Sequence, residues 1–381
     1  MKTREECVNP LWEQVMNTPD FAVRLNDSLS PDKFRDVLSM KEIYDIKRVI
    51  ITGCGDSYMA GIAMKPAFEK LTGLRTDVMR MIEFNRHLDS GELGRTPGDP
   101  LVIIISVSGG FARVIEAAKR GTKYGAMTLG ITDRPDSPMA KECRKVLKMD
   151  IPLMGEGVGA SSYVSTSTTM LHLAARIGHV RGIVSGEQAK DIRNSLVDFC
   201  KSYQAIMPKL DDQMWELANR WVDLDRFDFV GDAADFATAF FGAAKMVETF
   251  GATCSWDDSE DWCHIGFFSR NPRTIGTGLV ANPYSPSFSR CLETAKGMSL
   301  LHRPTLVVTT ADKSVFPEGL EVCTLPEAKY DFMNPIMQNV AFGLLASRLY
   351  PLKGIEPFRA GDKDFDLGGY NGRDSSAVEI V

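Results

Sequence analysis

One pattern constrains the fold of this chain more than any other: a short, wholly apolar run that stops at a glycine turn and gives way to a helical pattern. Leu101-Val102-Ile103-Ile104-Ile105 stops at Ser106-Val107-Ser108-Gly109-Gly110, ahead of the amphipathic stretch Ala112 to Tyr124. Arg48-Val49-Ile50-Ile51-Thr52 stops at Gly53-Cys54-Gly55, ahead of Ser57 to Leu71. Thr128 to Thr132 runs into Arg134-Pro135-Asp136 and a helix start near Ser137. A strand without polar alternation must be covered on both faces, so these runs predict a parallel sheet between two layers of helices. The alternation then restarts. Phe227 to Val230 stops at Gly231-Asp232-Ala233-Ala234, followed by the helix-like Phe236 to Phe250 and by strand-type runs at 253–256, 274–280, 305–310 and 322–325. At 381 residues the chain is long enough for two cores of ~150 residues each. The expected architecture is α/β: two doubly wound, flavodoxin-like parallel-sheet domains with helices on both faces. The expected boundaries are a helical extension over 1–45, a first domain over 46–186, a helical linker over 187–222, a second domain over 223–350 and a tail over 351–381.

The bulk charge excludes some functions. A formal net charge of −6 supplies no broad basic surface, so no nucleic-acid partner is expected. No run approaches the ~20 apolar residues of a membrane helix, and MKTREECVNPLWEQV lacks the apolar core of a secretory signal. Both observations predict a cytoplasmic chain with no membrane partner. The eight cysteines show no CxxC pair, which points to free thiols rather than disulfides or a zinc site.

In an open parallel sheet, ligands gather at the carboxyl ends of the strands, beside helix N-termini. Three segments there are rich in small hydroxyl residues: Gly53 to Ser57, Ser106 to Gly110, and Ala160-Ser161-Ser162 through Thr169. Hydroxyls and closely approaching backbone N–H groups suit a phosphate, although the same residues also serve as caps and turns. Neither GxGxxG nor the Walker spacing is present, so no nucleotide cofactor is expected, nor any metal. Proton transfer next to a carbonyl calls for a carboxylate and for a second acid/base such as histidine. Glu248, with Lys245 one turn before it, and His264 are the candidates. The alternative is a solvated Glu248 and a packed His264. His172, His179 and His302 read as structural, and His87 as a residue at a strand end placed to face a ligand. Taken alone, the residues give an α/β anion binder.

In their order along the chain, these segments resemble the sugar isomerase (SIS) superfamily with tandem SIS domains. The resemblance is to the isomerase half of glucosamine-6-phosphate synthase and to the Amadori deglycases of fructosamine 6-phosphates. Gly53 to Gly61 resembles GCGTSYHAG, Glu83-Phe84 resembles SEF, Ile105 to Gly109 resembles ISQSG, and Glu156 to Ser161 resembles the EIGVASTKAF region. Gly231-Asp232 through Glu248 resembles GRGDQYPIALEGALKLKE, and Glu260 to His264 resembles GELKH. Glu248 and His264 stand sixteen residues apart, as in the family.

The resemblance implies roles. Gly55, Ser57, Ser106, Ser108, Gly109, Ser161, Ser162 and Glu83 would surround the substrate and its phosphate. Glu248 would move a proton between carbons 1 and 2 with help from Lys245, and His264 would open the sugar ring across a subunit boundary, implying a homodimer or higher homo-oligomer. Val107 replaces a family Gln, Met59 a family His, and Phe111 a phosphate-binding Thr, for which Arg113 is the expected cationic substitute. Asp374-Ser375-Ser376 offers no counterpart to the lysine of LAKSVTVE, and the glutaminase half has none either, so glutamine-dependent synthesis is not expected. The expected substrate is a phosphorylated sugar or sugar–amine conjugate. The expected activity is that of a fructosamine-phosphate deglycase or amino-sugar-phosphate deaminase, with a phosphosugar ketose/aldose isomerase or a non-catalytic sugar-phosphate sensor as alternatives.

Overall fold

The apolar runs become central strands, and two polar stretches that lack the pattern become sheet edges. The computed structural model describes residues 2–152, 157–360 and 378–381. Strands β1 (Arg48–Gly53), β2 (Arg75–Arg80), β3 (Leu101–Ile105), β4 (Met127–Thr132) and β5 (Lys145–Lys148) form one parallel sheet in the order β2-β1-β3-β4-β5. Strands β6 (Arg226–Val230), β7 (Thr253–Asp257), β8 (Ile275–Val280), β9 (Thr305–Thr309) and β10 (Glu321–Thr324) form a second with the same topology, β10-β9-β8-β6-β7. Every residue of β3, β4, β8 and β9 is buried, as strands covered on both faces require. The edge strands β2 (RTDVMR) and β5 (KVLK) pair on one side only and tolerate charges.

Helices complete each sheet. The helix Ala112–Lys123 buries Val114, Ala117 and Ala118 against Ile50, Val102 and Ile104. Around the second sheet, Trp262, Cys291 and Met298 pack on Val230, Leu279 and Val307. Each such buried aliphatic side chain contributes roughly 1.5–3 kcal/mol. The last helical stretch of the second sheet's unit is divided into Asn334–Gln338 and Val340–Lys353.

The chain separates into two compact units. One holds the second sheet and comprises Met1–Phe21, Leu153–Ser161 and Val197–Phe365; the other holds the first sheet and comprises Ala22–Pro152, Ser162–Leu196 and Asp366–Val381. The division falls inside the continuous helix Gly186–Trp221. The eight cysteines are free thiols. Among the described residues no helix is long and apolar enough to cross a membrane. Glu156 and the segment Asp374 to Ser376 lie outside the described residues.

Candidate functional site

Register brings the two glycine loops of the first sheet together, because Gly53 at the end of β1 lies opposite Ile105 at the end of β3. Beyond β1, Gly55 takes φ +54 and caps the helix Asp56–Thr72, with Ser57 buried in its first turn. Beyond β3, the Gly109 N–H donates to Ser106 Oγ at 3.1 Å and the Gly110 N–H to Ser108 Oγ at 3.4 Å. Gly109 has φ +60, and a Cβ there would lie 2.1 Å from Ser137 Oγ, so only glycine closes this curl. Ser106 and Ser108 thus accept from the loop, and their O–H groups find no acceptor among the described residues. Two hydroxyl donors at the carboxyl edge of a parallel sheet suit an anion.

Other residues expected at this site are engaged elsewhere. Ser162 Oγ donates to Asp56 Oδ2 at 3.2 Å. Ser161 is buried, and its hydroxyl donates to Gln14 Oε1 at 3.2 Å, which also accepts from the N–H groups of Ala160 and Ser161. Arg113 pairs with the fully buried Glu116, which also accepts from Arg86 and Asn85. Glu83 is exposed and opens the wide turn Glu83–His87, in which His87 is exposed too.

In the unit of the second sheet, the helix Asp235–Phe250 presents the acid/base pair. Lys245, 1% exposed, donates from Nζ to Glu248 Oε2 at 2.8 Å and lies 4.9 Å from the centre of the Phe241 ring. A buried ammonium needs a counter-charge, and Glu248 supplies it while keeping its carboxylate 34% exposed. His264 ends the helix Ser259–His264 with its ring 70% exposed and Nε2 2.9 Å from Glu260 Oε1. Ile265 and Phe268 beside it are also exposed.

Sequence reading missed several carboxylates at the strand ends. Asp235 accepts from Asn282 Nδ2 and the Tyr284 hydroxyl, both at 2.9 Å, yet burial pushes its carboxyl up to about 6. Burial also pushes Asp232 up, but hydrogen bonds from the Ser259 N–H and hydroxyl and the Cys291 thiol hold it below the usual carboxylate range. At the second sheet, then, the chain's own carboxylates take up the donors. The available signal was an acid in the first helical turn after each glycine turn, Asp56 and Asp235.

Asp235 carries a pH prediction. Its folded pKa lies above the value of 3.8 for an ordinary carboxyl, so its stabilising contribution is full below about pH 4 and gone above about pH 6. The stability difference between wild type and Asp235→Asn is expected to fall by on the order of 3 kcal/mol across that window. Denaturant unfolding at a series of pH values measures it, and a flat difference means that Asp235 titrates normally.

Two parallel sheets, the first with hydroxyl donors at its carboxyl edge, define a doubly wound α/β protein. Residues 42–177 match the SIS domain model, and the second sheet repeats the strand order of the first. It is 25% identical over 342 residues to a glutamine–fructose-6-phosphate aminotransferase [isomerizing] of Gloeobacter violaceus, a match covering 87% of this chain and 53% of that protein. The chain therefore spans about half the length of that relative. In fold it is similar to the C-terminal domain of glucosamine-fructose-6-phosphate aminotransferase from Francisella tularensis, with a TM-score of 0.76, 17% identity, and 91% and 97% of the two chains covered. It is also similar to tagatose-6-phosphate ketose/aldose isomerase from Escherichia coli, with a TM-score of 0.73, 15% identity, and 92% and 94% covered.

Proposed function

We propose that this chain is a sugar-phosphate enzyme acting at carbons 1 and 2, releasing an amine from a fructosamine phosphate or ammonia from an amino-sugar phosphate. The observation that carries the reading is the Lys245–Glu248 pair: a buried ammonium fixes a carboxylate that stays open to solvent. Glu248 takes a proton from the carbon beside the carbonyl and returns it to the neighbouring carbon. For a fructosamine, removal at carbon 1 and return at carbon 2 converts the ketose–amine into an aldose imine. Water adds to that imine, and the amine leaves with the proton it needs. Lys245 holds the carboxylate in place, and Ser57, Ser106 and Ser108 hold the phosphate. His264 protonates the ring oxygen as the sugar opens, and its exposure beside Ile265 and Phe268 supports a role at a contact with a second copy of the chain.

The test is a panel of fructosamine 6-phosphates and amino-sugar phosphates, followed by amine or ammonia release and by hexose phosphate formation. Release of amine together with an aldose phosphate supports the deglycase reading. Interconversion of ketose and aldose phosphates without nitrogen release replaces it with an isomerase. Neither turnover nor solvent-hydrogen exchange at carbons 1 and 2 rejects an enzyme of this class.

The phosphate assignment has its own prediction. Ser106→Ala removes a hydroxyl that contacts phosphate equally in the ground and transition states, so KM should rise about tenfold with kcat nearly unchanged. Steady-state kinetics measures this, and an unchanged KM removes Ser106 from the site.

A further inference from the structure

The unit of the first sheet contains a mostly apolar cavity with buried side-chain nitrogens at its wall, on the helices Ser161–Val180 and Gly186–Trp221 and apart from the glycine loops. The cavity, of about 80 Å³, is walled by Pro31 and Phe34 and lined by His172, Arg176, His179 and Arg193. That volume holds several waters or a ligand of a few heavy atoms. Among the described residues no carboxylate lines it.

The polar side chains that line this cavity are two arginines and two histidines, and His179 Nδ1 donates to the Val184 carbonyl at 3.1 Å. Arg193 donates to the carbonyls of Asn26 and Leu29, and its Nη1 lies 3.4 Å from His172 Nδ1. Arginine only donates, so Nδ1 must accept and the ring proton sits on Nε2. His172 is 4% exposed, and its Nε2 finds no partner among the described residues. Burial, reinforced by the Arg193 charge, pushes the imidazole down to about 3, so it stays neutral and keeps this tautomer. The Nε of Arg176 is likewise buried without a partner. Arg193 feels Asp27 at a distance and forms no ion pair among the described residues. A buried donor without an acceptor is costly, and a buried cation without a counter-ion more so.

We infer that this cavity binds a small organic anion, its carboxylate head accepting from His172 Nε2–H and the Arg176 guanidinium and its short apolar body lying against Pro31 and Phe34. The site is independent of the proposed chemistry. His172 lies ten residues along its helix from Ser162, roughly 15 Å along the axis.

The test uses the full chain and propionate, with propanol as a neutral analogue of similar shape. Propionate is expected to shift the His172 ring-nitrogen resonances in a saturable way and to raise the thermal midpoint, and propanol to do neither. Arg176 is partly exposed and its Nε has no partner among the described residues, so Arg176→Gln should fold normally and bind propionate at least about tenfold more weakly. An equal response to propanol, a silent His172 at saturating propionate, or unchanged affinity in Arg176→Gln would each overturn the inference. Inorganic phosphate shifting His172 while propionate does not would overturn the carboxylate assignment.

Discussion

Glu248→Gln is expected to lower kcat by about 100- to 10,000-fold, with KM close to the wild-type value. The amide keeps the size of the side chain and can still accept from Lys245 Nζ, so the helix should retain its packing. It cannot take a proton from carbon. A general base acts in the transition state, so its loss appears in kcat rather than in binding. His264→Asn should also slow turnover of a ring-form substrate and matter less for one supplied open-chain. Circular dichroism and the thermal midpoint separate lost chemistry from a lost fold. Near-full activity of a folded Glu248→Gln on the true substrate would place the base elsewhere.

How much of this was legible in the sequence follows from what each part of the fold demands of its residues. Central strands must be apolar on both faces, and that demand wrote β3 into the chain residue for residue as Leu101–Ile105. Edge strands make no such demand: the charged β2 and β5 left no signal, whereas β7 and β10, edges of the second sheet, still read as strand-type runs. Glycine turns at strand ends announced the loops, because Gly55 and Gly109 occupy backbone conformations that other residues resist. Pairwise engagement was not legible. Nothing local says that Ser161 binds Gln14, far away in sequence, or that Glu116 gathers Arg113, Arg86 and Asn85. Lys245 and Glu248 were legible as a pair because helical spacing puts them on one face, but the burial of one and exposure of the other depend on tertiary packing. The histidines divide in the same way. His172 reads as an ordinary core residue until its unpartnered Nε2 and the cavity beside it are seen together.

Arg348→Met is expected to destabilise the unit of the second sheet by about 3 kcal/mol at neutral pH. Arg348 is 1% exposed and grips Asp211 with two prongs, Nε to Oδ1 at 2.9 Å and Nη2 to Oδ2 at 2.6 Å. Its guanidinium lies 4.9 Å from the centre of the Trp12 ring and 5.6 Å from that of Trp215. Asp211 also accepts from Trp12 Nε1 and from Arg4, so this cluster ties the N-terminal segment to the helices Gly186–Trp221 and Val340–Lys353. Burial pushes the Asp211 carboxyl up, but the bonds and charges of Arg348 and Arg4 outweigh it and hold it below the usual range. Its contribution is therefore present above about pH 4 and lost as the pH falls through its folded value. Methionine fills much of the same volume and leaves Asp211 with Arg4, a partly exposed partner. Adding Asp211→Asn removes the under-compensated charge, so the double variant should be more stable than Arg348→Met alone. A loss of this size lowers the midpoint of that unit by roughly 6–12 °C. Calorimetry of the two variants decides the matter: a double variant no better than the single one shows that the loss of packing between the two tryptophans, and not the stranded charge, carries the cost.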